Sequence, residues 1–350
     1  MRASDLRQHV RSELLSFAWS QWAQMGVLAA APRHDRWAAD PEALLLFTLP
    51  LARSDPRLFD EVLDWVRLNG RLLSVQRLRS LAESDPEARR LAEAALAWAG
   101  ARNPSLRQWA SRPPAEPPGA VVPLFIVEGE PLHVREPDPT FSAHGWIRPV
   151  IQPSGKSRPP DPRREINLAF RLRLLFGIGV RAEAMRVLLT TDHPELTALQ
   201  VAEAAAFSKR NVTEGLGALA EAGVITAAWR RNERVYRVDR ERWAALLALE
   251  LRDLPGFVDW IRLLPALLAI LRWLDEDARL QRSDYIRASE ARRFIDGIRP
   301  ALTAAGVRLP EDRGLGPAES WQFFERTVAS ALRMIRPPSQ GHPEATGALA

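Results

Sequence analysis

Cysteine is absent from the 350 residues. That excludes a disulfide framework, a thiolate nucleophile and a zinc–cysteine site. Lysine is nearly absent too: Lys156 and Lys209 are the only two, so arginine carries almost all the positive charge. A long hydrophobic run is also missing. The most apolar segment, 257–274 "FVDWIRLLPALLAILRWL", is interrupted by Asp259, Arg262, Pro265 and Arg272, and its longest charge-free run is nine residues, Leu263 to Leu271. A membrane span needs about 20 apolar residues, so a buried helix is expected there. The opening "MRASDLRQHVRSELL" holds no apolar leader core, and a secretory signal is not expected. Together these absences point to a cytoplasmic protein with no membrane contact.

What is present is ordinary for a globular chain, with 46% hydrophobic and 26% charged residues. At this length one core is too few, and two or three domains are expected. The formal net charge of +5 is unevenly placed. Residues 156–243 hold sixteen basic and eleven acidic residues, and the rest of the chain, with 32 of each sign, is neutral. A local excess of this kind suits a polyanionic partner.

Along the chain, 1–112 reads as a helical domain with apolar residues at helical spacing. "DPEALLLFTLPLA" starts with Asp40 as N-cap and Pro41 at the first helical position, and a helix break is expected at Asp85-Pro86. Helices give way at 113–164, where thirteen of the 28 prolines fall between Pro113 and Pro162. This connector is expected to be partly ordered. A hairpin is expected around Glu128-Gly129, Phe141, Trp146 and Ile147 are expected to pack, and "QPSGKSRPPDPRR" (152–164) is expected to be flexible. Helical pattern returns at 165–176 and 180–190. Four further helical segments at 241–336 form a C-terminal helical domain, and 337–350 reads as a disordered tail.

The informative stretch is 197–238, "TALQVAEAAAFSKRNVTEGLGALAEAGVITAAWRRNERVYRV". Thr197 and Gln200 form a capping box, Ser208 is an N-cap, and Phe207 with Val212 forms a hydrophobic staple. Val212, Leu216, Leu219 and Ala220 make an inward stripe, and Gly223 suits the C′ position. "ITAAWR" and "RVYRVD" then read as a hairpin, with Ile225, Trp229, Val235 and Val238 facing the helices. Gly215 and Gly217 lie within the second helix, where each costs about 1 kcal/mol relative to alanine. Close approach to a ligand or tolerance on an exposed side would each account for them.

Helix, helix, tight turn, helix and basic hairpin together resemble the winged helix-turn-helix of MarR- and ArsR-type regulators. The resemblance covers about 165–240 and rests on "LTALQVAEAAAFSKRNVTEGLGALAEAGVI" with the arginine-rich segment after it. It implies a mainly α protein whose central winged helix-turn-helix is flanked by N-terminal and C-terminal helical domains. It also implies a sequence-specific DNA-binding transcriptional regulator, most simply a repressor. In that reading the helix 208–222 enters the major groove of double-stranded DNA and presents Ser208, Lys209, Arg210, Asn211, Thr213 and Glu214. Arg210 would read guanine, Asn211 adenine, and Glu214 would accept from cytosine or orient an arginine. Arg230, Arg231, Arg234 and Arg237 on the wing 225–239 would serve phosphates or the minor groove. A homodimer through the C-terminal helices, particularly 257–274, would match a palindromic site, with an effector ligand or partner protein at the helical domains. The rival reading is a protein-interaction adaptor or antitoxin-like partner.

No enzyme constellation stands out. His9, His34, His133, His144, His193 and His342 lack metal-ligand spacing. His133 and His144 share the connector with Glu128, Glu130 and Asp138, where ordinary polar roles are expected. Gly177-x-Gly179 follows a helix and lacks a third glycine, so it is no dinucleotide fingerprint. Trp19, Trp22, Trp260 and Trp273 are expected in the core, and no cofactor or metal is expected.

Overall fold

Four of the five Asp-Pro pairs set the rhythm of the helices. In the computed structural model, which describes residues 2–32, 36–110, 119–127, 129–311 and 316–336, each such proline opens a helix and each aspartate caps it. The first helix, α1 (Ala3–Gln24), is followed by α2 (Pro41–Leu51), α3 (Pro56–Asn69), α4 (Val75–Ala82), α5 (Pro86–Gly100) and α6 (Arg107–Ala110). Asp40, Asp55 and Asp85 accept from the amides of Ala43, Leu58 and Ala88 at 3.0–3.1 Å. The pre-set φ of proline and the carboxylate on a free amide together make these starts sharp. The expected break at Asp85-Pro86 is one of them. The expected tail 337–350, with Glu128, His34 and His342, lies outside the described residues.

The connector contains β1 (Val122–Pro123), β2 (Ile126–Val127), β3 (Glu130–Pro131), α7 (Pro139–Ala143) and β4 (Trp146–Ile147). β2 and β3 pair across Gly129, which has φ +90°, as the expected hairpin requires. β1 pairs with β4 in parallel, and Leu124, Phe125, Phe141, Trp146 and Ile151 are buried. Asp138 and His144 have local jobs: Asp138 caps α7, and His144 Nδ1 lies 2.8 Å from the Thr140 carbonyl.

Residues 152–164 depart from the flexible expectation. They form an extended strap held by side chains and backbone of α1 and α3. The Arg158 amide donates to the Gly26 carbonyl at 2.8 Å, and Asn69 Nδ2 donates to the Arg158 carbonyl at 3.0 Å. Ser154 Oγ bonds Glu61, and Arg164 bonds Gln24. A proline-rich segment has few N–H groups to satisfy, so a handful of such bonds suffices to place it. Gly26 is required by this contact: its φ is +109°, and a Cβ there would lie 2.2 Å from the Arg158 oxygen.

After the strap come α8 (Leu168–Phe176), α9 (Val180–Thr190), β5 (Leu196–Thr197), α10 (Ala198–Ala205), α11 (Lys209–Glu221), β6 (Thr226–Arg230) and β7 (Glu233–Arg237). The last three strands form one antiparallel sheet in the order β5-β7-β6. The chain closes with α12 (Arg240–Leu246), α13 (Trp260–Leu280), α14 (Asp284–Ala304) and α15 (Pro317–Arg333). The protein is mainly helical, and among the described residues no helix is long and apolar enough to cross a membrane.

Burial groups the elements differently from chain order. One apolar cluster runs through α1–α5, the connector and α13–α15; a second runs through α8–α12 and the sheet. The region 1–112 and the helices α13–α15 therefore share a core, whereas α12 and the residues up to Phe257 belong to the second cluster. At its centre α2 is buried along its whole length, as an all-round apolar helix must be. Trp22, Trp260 and Trp273 are in that core, while Trp19 is half-buried and donates to Asp55. The dimer helix expected at 257–274 is spent within the monomer. Leu263, Leu267, Ile270, Leu271 and Leu274 are buried as α13 packs against α1, α2 and α14.

Between the two clusters lies a buried set of six charges: Asp40 and Glu42 at the start of α2, Arg77 on α4, Arg173 on α8, and Glu183 and Arg186 on α9. All six are shielded from solvent. Arg77 donates to both Asp40 oxygens (2.6 and 2.5 Å) and to Glu42 (2.9 Å). Arg173 forks onto Glu42 (2.8 and 2.7 Å) and reaches Glu183 at 2.6 Å, and Arg186 Nε donates to Glu183 at 2.8 Å. Three cations face three anions, so the set is neutral. Burial pushes the Asp40 and Glu183 carboxyls up, but the guanidiniums beside them outweigh it and hold both below their ordinary values. For Asp40 these are Arg77 and Arg186; for Glu183 they are Arg173, Arg186 and Arg77.

Gly26→Ala is expected to cost about 3 kcal/mol in urea-induced unfolding, from left-handed strain plus overlap with the strap. Arg77→Met leaves Asp40 only the Arg186 guanidinium at 3.5 Å, while Glu42 keeps Arg173, and is expected to cost about 3–5 kcal/mol; a loss under about 1 kcal/mol would mean that Arg186 compensates Asp40 by itself. Because the Asp40 and Glu183 carboxyls titrate lower when folded, their stabilisation is complete above the ordinary glutamate value of 4.5 and is lost as pH falls below it. Acid titration of thermal midpoints checks this, and Glu183→Gln should flatten the acid limb.

Candidate functional site

The basic segment singled out in the sequence is exposed in two places, at the start of α11 and on the β6–β7 hairpin, both carried by the same apolar cluster. Its construction starts at α10. Thr197 Oγ1 accepts from the Gln200 amide at 3.3 Å, and Gln200 Oε1 accepts from the Thr197 amide at 2.9 Å, completing the capping box. Val201, Ala204 and Ala205 are buried, and their small size lets α11 cross closely. The turn passes through Ala206, a non-glycine residue at φ +55°. Ser208 then caps α11, its Oγ accepting from the Asn211 amide at 3.3 Å.

Val212, Leu216 and Leu219 are buried, as the stripe required, and Phe207 packs on the same cluster. Gly223 takes φ +68°, its amide bonds the Ala220 carbonyl, and the Val224 amide bonds Leu219, a Schellman ending. The two internal glycines have different reasons. Gly215 faces inward, and a Cβ there would meet a Val180 methyl at 3.0 Å. Gly217 faces open space, where alanine would meet nothing within 4 Å.

The outward side of the helix start therefore presents Ser208, Lys209, Arg210, Thr213 and Glu214 to solvent, with Asn211 half-buried between them. Arg210 Nε donates to Glu214 Oε1 at 3.0 Å, one of the two roles foreseen for Glu214. Thr213 is turned back, its Oγ1 donating to the Lys209 carbonyl at 2.8 Å. Free amides at the start of α11 add a positive dipole end on this side.

The hairpin pairs Thr226 with Arg237 through to Arg230 with Glu233, across a two-residue turn at Arg231-Asn232. Arg231 carries the turn at φ +55°. Ile225, Val235 and Val238 are buried as expected, and so is Tyr236. Trp229 is the exception. Expected to pack inward, it is 70% exposed, on the outer strand β6 one residue from its end. Arg231, Arg234 and Arg237 are exposed. Arg230 is exposed but engaged, donating twice to Glu195 at 3.0 and 2.9 Å. These hydrogen bonds and the adjoining charge hold the Glu195 carboxyl below its usual value and raise Arg230. Glu195 lies in the loop before β5, and nothing in its sequence context signals this pairing.

Contacts from the rest of the chain reach the helices that precede α11. Arg77 of the buried charge set also donates through Nε to the Ala205 carbonyl at 2.7 Å. It thereby caps the end of α10 one residue before the turn into α11. Arg262 of α13 lies 3.6 Å from Glu203 on α10, and the Phe257 amide donates to Thr190 at the end of α9. Sequence reading did not single out Arg77, Arg173 or Glu183. A signal was available, since Arg173 sits inside "LAFRLRLLF" and Glu42 heads "LLLF", charges embedded in apolar runs.

Among the described residues, no group of three or more acidic or histidine side chains could hold a metal ion. The chain finds no match among family models, curated proteins or solved structures.

Proposed function

We propose that the protein is a sequence-specific DNA-binding transcriptional regulator, most simply a repressor, with α9–α11 and the three-stranded sheet acting as a winged helix-turn-helix. The observation that carries this is the exposed start of α11. A capped helix presents Lys209 and Arg210 to solvent with Asn211 half-buried next to them, its opposite face is used in packing, and an arginine-bearing hairpin follows it in the chain. In the major groove Arg210, held by Glu214, would address guanine, and Asn211 adenine. Arg231, Arg234 and Arg237 would take phosphates. Arg230 is engaged by Glu195 and would contribute less. The helical body, tied to α10 through Arg77, would be the part that senses an effector or partner. A cytoplasmic location goes with this reading.

A homodimer remains the natural way to match a palindrome, but α13 cannot supply its contact. Leu174, Leu175 and Ile178 at the end of α8, and Leu246 on α12, are exposed. These elements adjoin, with the Phe176 and Trp243 rings 5.8 Å apart. This apolar patch also favours the second reading, an adaptor or antitoxin-like partner that grips another protein.

Fluorescence anisotropy with DNA from upstream of the protein's own gene tests the proposal. Arg210→Ala is expected to weaken specific binding by about 1–3 kcal/mol and relax sequence choice, while Lys209→Ala should lower the salt slope by about one. Binding no stronger than sequence-blind attraction to any duplex would leave the adaptor reading standing.

A further inference from the structure

The end of the hairpin has two unlike faces. Side chains alternate across a strand, and the register sets Arg230 opposite Glu233 and Trp229 opposite Arg234. On the first face Glu195 takes both hydrogen bonds of Arg230, and the charge of Arg237 also acts on it. Glu233 lies on the same face. The second face carries Trp229 and Arg234, whose guanidinium lies 5.5 Å from the centre of the Tyr236 ring. Arg231 occupies the turn next to it. Among the described residues neither Arg231 nor Arg234 forms an ion pair. Two arginines without an ion pair thus lie on or next to the face that also exposes an indole.

An indole in water leaves a large apolar surface uncovered. Val235, Tyr236 and Val238 show that this sheet has covered positions to offer, and Trp229 is not in one. A flat apolar group flanked by two unpaired arginines matches a ligand that combines phosphates with flat apolar edges.

We propose that Trp229 is the wedge of the hairpin. Its indole enters the minor groove of duplex DNA beside the stretch covered by α11 and inserts at a base step, with Arg231 and Arg234 on the flanking phosphates. Apolar wedges of this kind unstack a step and kink the duplex by roughly 20–90°. The bend brings more of the duplex onto the basic face. The inference rests on the DNA-binding reading above and adds to it a residue that determines bending and step preference.

The test uses the full chain and 30-base-pair duplexes that it selects from a random pool. Binding is read by anisotropy, bending by energy transfer between dyes at the duplex ends, and unstacking by 2-aminopurine placed at successive steps. The wild-type protein is expected to raise 2-aminopurine emission at one step and to bring the ends together. Trp229→Ala should weaken binding about tenfold or more and abolish both signals. Its thermal midpoint should stay unchanged, because the side chain is exposed, and Trp229→Phe should retain most of each effect. Equal binding and bending by Trp229→Ala would overturn the proposal and leave the indole to a protein contact. A loss of affinity with no unstacking in the wild type would also overturn it. If no duplex is selected at all, the DNA-binding reading itself fails, a result distinct from either of those.

Discussion

Six buried charges hold this molecule in register. Asp40, Glu42, Arg77, Arg173, Glu183 and Arg186 come from four helices of two apolar clusters, and each guanidinium is shared between carboxylates. Removing such groups from water is costly, and their mutual attraction roughly offsets the cost. The set therefore contributes little net stability compared with apolar side chains of the same volume. Its contribution is to geometry. Apolar helices can slide by a turn at small cost, whereas any slide here leaves a buried charge without a partner. Arg77 extends that constraint to the Ala205 carbonyl, so the position of α11 on the helical body is set by the same interaction.

The scarcity of lysine becomes intelligible beside this network. A guanidinium offers five donors in a fixed fork, and Arg77 and Arg173 each serve two carboxylates and a backbone carbonyl at once. An ammonium could not do so in that geometry. The network also changes the meaning of the charge count. Within 156–243 it holds Arg173, Arg186 and Glu183, answered by Arg77, Asp40 and Glu42 from outside. One unit of the local positive excess is therefore neutralised inside the protein, and Arg230 is engaged at the surface by Glu195. The positive charge left free is smaller than composition suggests, and the start of α11 and the hairpin carry part of it.

What the sequence determined by itself was local. Asp-Pro starts, the Thr197–Gln200 box, the Ser208 cap, the stripe Val212-Leu216-Leu219, the Gly223 ending and the register-ready hairpin all depend on residues within a few positions of one another. Hydrogen-bond reach and helical periodicity make such features readable from the chain alone, and the exposed faces of α11 follow from them. Tertiary structure decided everything that depends on distant partners. The apolar face of 257–274 suits a second copy or its own α1 and α2 equally well, and only the closed fold assigns it to the latter. Extended, proline-rich 152–164 reads as loose because its anchors, Gly26 and Asn69, lie about a hundred residues away. Trp229 reads as a packing residue until strand order makes β6 the outer strand. Arg173 and Glu42 read as solvated charges until the meeting of four helices buries them. Hydrophobicity and charge do not specify their partners; the packing of the whole chain does.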